Sequence, residues 1–357
     1  METIDIPYQR LHNQHISNSP FTNPEDVVGW MGAVQSQDYS GAKWAIGLRC
    51  KNLPDDDVEK AVNDGKILRT HVMRPTWHFV LPEDIRWMLE LTAPRVHALS
   101  AYYYHKLGLN EEIFKKSNKT IVKALIGGKQ LTRSELVDIL KEAELPTEGL
   151  SHLFLIGYAE LERIICNGPR KGKQFTYMLL DERVPQIKAR KRDEALAELA
   201  KRYFTSHGPA TLKDYSWWSG LSMADAKTGF EAVKKYFVHE IIDDKTYWFS
   251  PDMHITKEKE AHLLPNYDEY IVGYTDRSAI FDPSHTSKLD ARANPLFQNT
   301  IVINGQIIGT WKRDIKKNKI LMNTTLFRDV TNHEDNAISE AIKRYEKFLE
   351  MPINKSR

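Results

Sequence analysis

One order of elements returns three times along this chain of 357 residues: helix, helix, helix, then two short extended segments. A recurring order constrains architecture even where residue identity has diverged. The middle copy reads most cleanly. Residues 111–126 form a first helical pattern stopped by Gly127 and Gly128, and Thr132 opens a second through a Thr-x-x-Glu cap with Glu135. A third helix is expected over 149–168, followed by a strand pair over 173–182 beyond the basic turn 170–173.

The third copy has helices over 192–208, 210–221 and 222–237, with a Thr211/Asp214 cap on the second and a hairpin turning at Asp243 and Asp244. The first copy places helices over 25–40, 42–50 and 55–65, then alternating residues around Arg74 and Pro75. Three helices and a hairpin make the outline of a winged helix. Beyond about residue 255 the pattern changes to short extended runs over 262–274, 299–313 and 319–327, with a hairpin at Asn304-Gly305 and a closing helix over 336–350. The expected fold is therefore α+β, with units at 1–105, 106–186 and 187–254 as tandem winged helices and 255–357 as a small β-rich, barrel-like domain with its helix outside.

Composition narrows the function classes. A 41% hydrophobic, 27% charged chain suits a globular protein, and no run approaches the roughly 18 apolar residues of a membrane span. The N-terminus carries no signal-type apolar region, so the expected location is the cytoplasm, associated with the nucleoid if DNA is bound. Cys50 and Cys166, far apart in sequence, read as reduced and structural. A net charge of +2 does not by itself announce a nucleic-acid binder. Basic residues do crowd two regions, Arg170 to Arg192 and Lys312 to Lys319, where a solvated face is the plain alternative.

A helix-turn-helix places one helix in a groove while its flanks touch phosphates, so three in one chain can line a concave surface on duplex DNA. The third helices lack the Arg, Asn and Gln that read base edges, which favours backbone or shape recognition over sequence reading. Winged helices also serve as protein-interaction or architectural modules.

Gln35 and Gln37 stand one residue apart beside Asp38. On a helix such a pair points about 200° apart, and in extended chain it shares a face. Tyr39, Ser40 and Gly41 suggest a helix end there, leaving both amides free to enter one cleft. At this segment the chain resembles the AlkZ-like winged-helix DNA glycosylases, which unhook interstrand crosslinks and remove bulky alkylated purines. The resemblance covers most of the chain. It rests on Gln35-Ser36-Gln37, on Arg74-Pro75-Thr76-Trp77-His78, on His207 to Thr211 with Trp218 to Leu221, and on Leu263 to Asp268, Asp276-Arg277, Asn304-Gly305 and Gly309 to Arg313. The family pattern has an apolar residue between its two polar ones, where this chain has Ser36.

The resemblance implies a monofunctional glycosylase with Gln35 and Gln37 as catalytic residues. An amide has no useful pKa near neutrality, so it suits only a base that leaves unaided. A cationic N7- or N3-alkylpurine is such a base, and the protein need only hold water and stabilise an oxocarbenium-like sugar. Asp38 is a further candidate base, or simply a helix-terminus charge. DNA contacts are expected from Arg74, Thr76, His78, Arg277, Lys312 and Arg313, with Asp268 pairing with Arg74 or Arg277. His71 and His78 could face each other across the first hairpin, but no third ligand supports a metal. No cofactor is expected, and the protein is expected to act as a monomer on duplex DNA carrying alkylated purines. Most of Trp217, Trp218, Trp248 and Trp311 are assigned to core. A non-enzymatic DNA-binding protein and a protein-interaction scaffold are the alternative readings.

Overall fold

The computed structural model describes residues 4–251, 260–289, 294–316 and 319–356; Lys317 of the basic run and the expected boundary at 254/255 lie outside them. Helix α1 (Ile6–Asn13) precedes the first repeat, which contains α2 (Pro24–Met31), β1 (Val34–Gln35), α3 (Tyr39–Leu48), α4 (Asp55–Asn63), β2 (Leu68–Val72) and β3 (Thr76–Val80). The helix expected over 25–40 is broken. Gly32 takes φ +77 and ends α2, two residues run extended, and the chain becomes helical again at Tyr39 beneath the Asp38 cap.

A 25-residue helix, α5 (Pro82–Lys106), leads to the second repeat: α6 (Glu111–Leu125), β4 (Leu131–Thr132), α7 (Arg133–Glu142), α8 (Ser151–Leu161), β5 (Ile165–Asn167), β6 (Thr176–Leu179) and the short α9 (Leu180–Arg183). The Thr132/Glu135 capping box forms as read. The third helix is shorter than expected, because Ile165 to Asn167 leaves it to pair with β6. The third repeat comprises α10 (Arg192–His207), α11 (Leu212–Ser219), α12 (Met223–Val233), β7 (Val238–Ile242) and β8 (Lys245–Phe249). Its Thr211/Asp214 box is present, and both Asp243 and Asp244 take the left-handed conformation that a two-residue hairpin turn requires.

The repeats share a strand order as well as an element order. In the first, the sheet runs β1-β3-β2, and in the second β4-β6-β5. In the third, Ala210, between α10 and α11, bridges Trp248 of β8, which pairs with β7. Each time, the short segment after the first helix of the repeat pairs with the last strand of the hairpin.

The C-terminal region contains β9 (Ala261–Leu264), α13 (Glu269–Val272), β10 (Thr300–Ile303), β11 (Gln306–Lys316), β12 (Lys319–Leu326), α14 (Asn332–Leu349) and β13 (Ile353–Ser356). In place of a barrel, the described strands form one open ladder, β13-β12-β11-β10-β9, in which only β12 and β13 run parallel. The expected extended run over 262–274 also ends early: Asp268 accepts from the Tyr270 N–H and caps α13. Helix α14 turns Ile338, Ala341, Ile342, Tyr345 and Phe348 inward at helical spacing. It approaches α3 so closely that a Cβ on Gly47 would lie 2.4 Å from the Phe348 ring.

Three apolar cores result. One joins α2, α3 and α4 to the C-terminal sheet and α14; one joins the first hairpin and α5 to the third repeat; one belongs to the second repeat. Ala33 packs in the second of these and Val34 in the first. Gln35 is thus held where two cores meet. Cys50 and Cys166 are buried free thiols, and burial pushes both up to about 12, so they are inert. Among the described residues no helix is long and apolar enough to cross a membrane.

Candidate active site

Gln35 lies opposite His78 in the β1/β3 ladder, and His78 lies opposite Thr70 in β2. The Gln35 backbone N–H donates to Glu269 Oε1 at 2.7 Å, and its side-chain Oε1 accepts from Arg74 Nη2 at 2.9 Å. Gln37, exposed where Gln35 is buried, reaches the same hairpin; its Oε1 makes a long 3.5 Å contact with the Trp77 N–H. Between them, Ser36 is fixed through its backbone: its N–H donates to Trp77 O at 2.7 Å and its carbonyl accepts from Arg69 Nη2 at 3.0 Å. Only Val34 and Gln35 are strand and the chain bends at Gln37 and Asp38, so the two side chains do not share one extended face, but both amide oxygens contact the stretch from Arg74 to Trp77.

Arg74 occupies a different role from the expected phosphate contact. Its Nη1 donates to Trp217 O at 3.1 Å and Trp218 O at 2.7 Å, the closing carbonyls of α11, while Nη2 holds Gln35. A cation at the negative end of a helix is favourably placed. The close approach depends on Gly220, which ends α11 at φ +69; a Cβ there would lie 3.0 Å from the Met73 carbonyl. The guanidinium is committed to carbonyl and amide oxygens, which orients the Gln35 side chain with its oxygen toward Arg74.

Behind Gln35 lies a charged group that the sequence reading missed. Glu269 is fully buried, and Oε2 accepts from Trp218 Nε1 at 2.9 Å and lies 3.4 Å from His207 Nε2. Burial alone would raise its pKa, yet the His207 hydrogen bond and charge, the nearby His78 and the Gln35 N–H together hold it down to about 2. The quoted motif stopped at Asp268, one residue short. Asp268 itself pairs with neither Arg74 nor Arg277: it forms a buried two-point ion pair with Arg49, 2.8 Å at each end, which joins the C-cap of α3 to the N-cap of α13.

The other expected site residues separate into groups. His78 is fully buried, with Nδ1 2.9 Å from Thr76 O and Nε2 without a partner, so an outward phosphate contact is closed to it. The Thr76 hydroxyl is likewise enclosed and without a partner. His71 and His78 do not face each other; His71 stands opposite Trp77, and its Nδ1 is 2.6 Å from Glu160. Arg277 is turned onto its own loop, its Nε donating to Ile271 O at 2.9 Å. Asp38 caps α3, accepting from the Gly41 N–H and the Ser40 hydroxyl at 3.1 Å each. Arg313 donates to Ser40 Oγ at 2.6 Å and tethers the β11/β12 hairpin to that same helix start. Lys312 is exposed. Trp218 and Trp311 are core, whereas Trp217 is 42% exposed.

Among the histidines that burial pushes down, His15 and His78 reach about 4 and His262 about 3. Each stays neutral in the folded chain while its unfolded counterpart, near 6.5, takes up a proton. The stability this represents is complete above pH 6.5 and is lost as pH falls through the folded values. For a shift the size of that at His78, the loss is about 3 kcal/mol. Thermal melts should therefore show Tm falling steadily between pH 7 and pH 4, and a His78→Asn variant should lose part of that slope; a flat profile would contradict the assignment.

Comparison with known proteins bears on the family and the fold. The family described as DNA glycosylase AlkZ-like matches residues 28–348. An interstrand DNA cross-link repair glycosylase of Streptomyces sahachiroi is 24% identical over 324 residues, covering 85% of each chain. The solved structure of the Streptomyces sahachiroi DNA glycosylase AlkZ superposes over 100% of both chains with a TM-score of 0.79 at 20% identity, a likeness of fold. The matched segment spans Gln35, Arg74, Glu269 and most of the C-terminal ladder, and on that coverage the chain belongs to the AlkZ-like DNA glycosylase family.

Proposed function

We propose that this protein hydrolyses the N-glycosidic bond of cationic N7- or N3-alkylated purines in duplex DNA, with Gln35 and Gln37 at the reacting sugar. The observation that carries the reading is the pair of amide oxygens set against one hairpin. Arg74 fixes one, and the other presents an exposed oxygen whose sole hydrogen-bond partner among the described residues is the distant Trp77 N–H. The Gln37 oxygen accepts from a water and points its dipole at the developing oxocarbenium charge. The oriented amide of Gln35 positions that water. Water adds at C1′ and loses a proton to solvent, the C1′–N9 bond breaks, and its electron pair neutralises the positive purine. Asp38, tied into the α3 cap, steadies the loop that carries both glutamines. The chemistry suits a substrate that is already activated and leaves undamaged purines alone.

The repeated strand order supports reading the three repeats, 1–105, 106–186 and 187–254, as winged helices, with 255–357 as a β-rich partner of the first. The units together form the DNA surface within one chain, so a monomer acting at the nucleoid suffices. The name of the Streptomyces relative extends the proposed substrates to interstrand crosslinks, and we take the three repeats to line an open channel, which admits these more readily than a tight base-flipping pocket. Lys312, exposed on β11, contacts a phosphate, with Arg313 and Arg74 bracing the surface from within.

Two measurements test this. Incubating the protein with a duplex bearing one N7-methylguanine should release the modified base and leave an abasic site, while the undamaged duplex stays intact; binding of both duplexes with no release would return the chain to the non-enzymatic reading. For the hairpin, Lys312→Ala should lower the slope of log affinity against log salt by about 0.9 on undamaged duplex. An unchanged slope would remove Lys312 from the interface.

A further inference from the structure

We propose that the Trp217 indole is the stacking face for the alkylated purine, a residue that recognises the base while the glutamines act on the sugar. This deepens the reading above and rests on it. Trp217 sits in the last turn of α11 and is 42% exposed. The exposure is not looseness. Its indole N–H donates to Val272 O at 3.1 Å and its carbonyl accepts from Arg74 at 3.1 Å, so the ring is held at both ends.

The placement relative to the reacting groups follows from one guanidinium. Arg74 Cζ lies 5.5 Å from the centre of the Trp217 ring, and Nη2 of the same group holds the Gln35 amide. The ring therefore borders the site. Trp77, the other tryptophan beside the glutamines, is already covered: His71 stacks 3.8 Å from it and Arg69 lies 4.1 Å from its centre. Trp218, next along α11, is buried with its N–H on Glu269. Of the three tryptophans around Gln35, Trp217 is the one with a large exposed share of its surface.

An electron-rich indole face attracts a cation and stacks on any planar base. An N7- or N3-alkylpurine is both planar and positively charged, and it loses that charge when its bond to the sugar breaks. The face thus favours binding of the damaged base over an undamaged, neutral one, and it adds selectivity in binding to the selectivity that weak amide chemistry already imposes. A ring standing at the edge of the channel also tolerates a large alkyl substituent on the base's other side.

The test is single-turnover release from a duplex bearing one N7-methylguanine by the wild type, Trp217→Leu and Trp217→Phe, with Tm and affinity for the undamaged duplex measured on each. The leucine variant should weaken binding of the damaged duplex about 10- to 100-fold, and so slow release below saturation by that factor, with undamaged-duplex affinity unchanged, and the phenylalanine variant should recover most of it. Phenylalanine keeps a π face but cannot donate to Val272, so its rescue separates stacking from the structural tether. Release by Trp217→Leu at the wild-type rate overturns the proposal, as does a phenylalanine variant as slow as leucine with a lowered Tm. Absence of release by the wild type would instead strike at the proposed function itself.

Discussion

Replacing Glu269 by alanine is expected to destabilise the folded protein by about 3 to 5 kcal/mol, the cost of breaking a buried charged network. The carboxylate is fully buried and accepts the Gln35 N–H, the Trp218 indole and His207, which belong to the first repeat and the third, while Glu269 itself comes from the C-terminal region. Its removal leaves buried donors on both sides without an acceptor, and leaves Arg74 and the histidines without their nearest compensating charge. Tm should fall by roughly 10 °C. A Glu269→Gln variant keeps the shape and one acceptor oxygen, so it should lose less stability but still slow base release, because the Gln35 backbone anchor is weakened. Melts of both variants decide the matter; a Glu269→Ala protein as stable as the wild type would show that the network is not an energetic centre of the fold. The acid side has a defined sign. With its pKa held to about 2, Glu269 contributes stability that is complete above the unfolded carboxylate value near 4.3 and is lost as pH falls toward 2.

The second large effect is on rate. Gln37→Ala removes an exposed side chain with one long contact, so its stability should stay within about 0.5 kcal/mol of wild type while base release slows about 100-fold. Gln35→Ala should be at least as slow and also less stable, because Arg74 loses a buried acceptor. The two act on one water and one sugar, so the double variant should be little slower than the worse single one. Rates that multiply would mean that the amides act in separate steps.

The parts of this structure legible from sequence are those governed by neighbouring residues. The Thr132/Glu135 and Thr211/Asp214 boxes and the turns at Asp243-Asp244 and Asn304-Gly305 are local chemistry, and each forms where it was read. The break in the helix before Gln35 was legible for the same reason, but the chain bends at Gln37 where an extended run was expected, and the adjoining helix begins at Tyr39, where it had been read to end. What escaped was decided by distant parts of the chain. Ile165 to Asn167 continues an apolar helical pattern and becomes a strand only because β6 is there to pair with it. Arg49 and Asp268 meet across 219 residues, and Gln35 and Glu269 across 234. No spacing rule reaches that far. Arg74 and Arg277 looked like phosphate contacts because a guanidinium suits any oxygen, and the fold gave them carbonyl oxygens first.

The most direct test of the central claim is the amount of free N7-methylguanine liberated from a single-lesion duplex, measured by mass spectrometry under single-turnover conditions. Wild type, Gln35→Ala and Gln37→Ala are compared at matched occupancy of the DNA. The account predicts prompt release by the wild type and a loss of about two orders of magnitude in each variant. Equal release by all three would place the chemistry elsewhere on the protein, and no release by any would leave a family member that binds DNA without cutting the glycosidic bond.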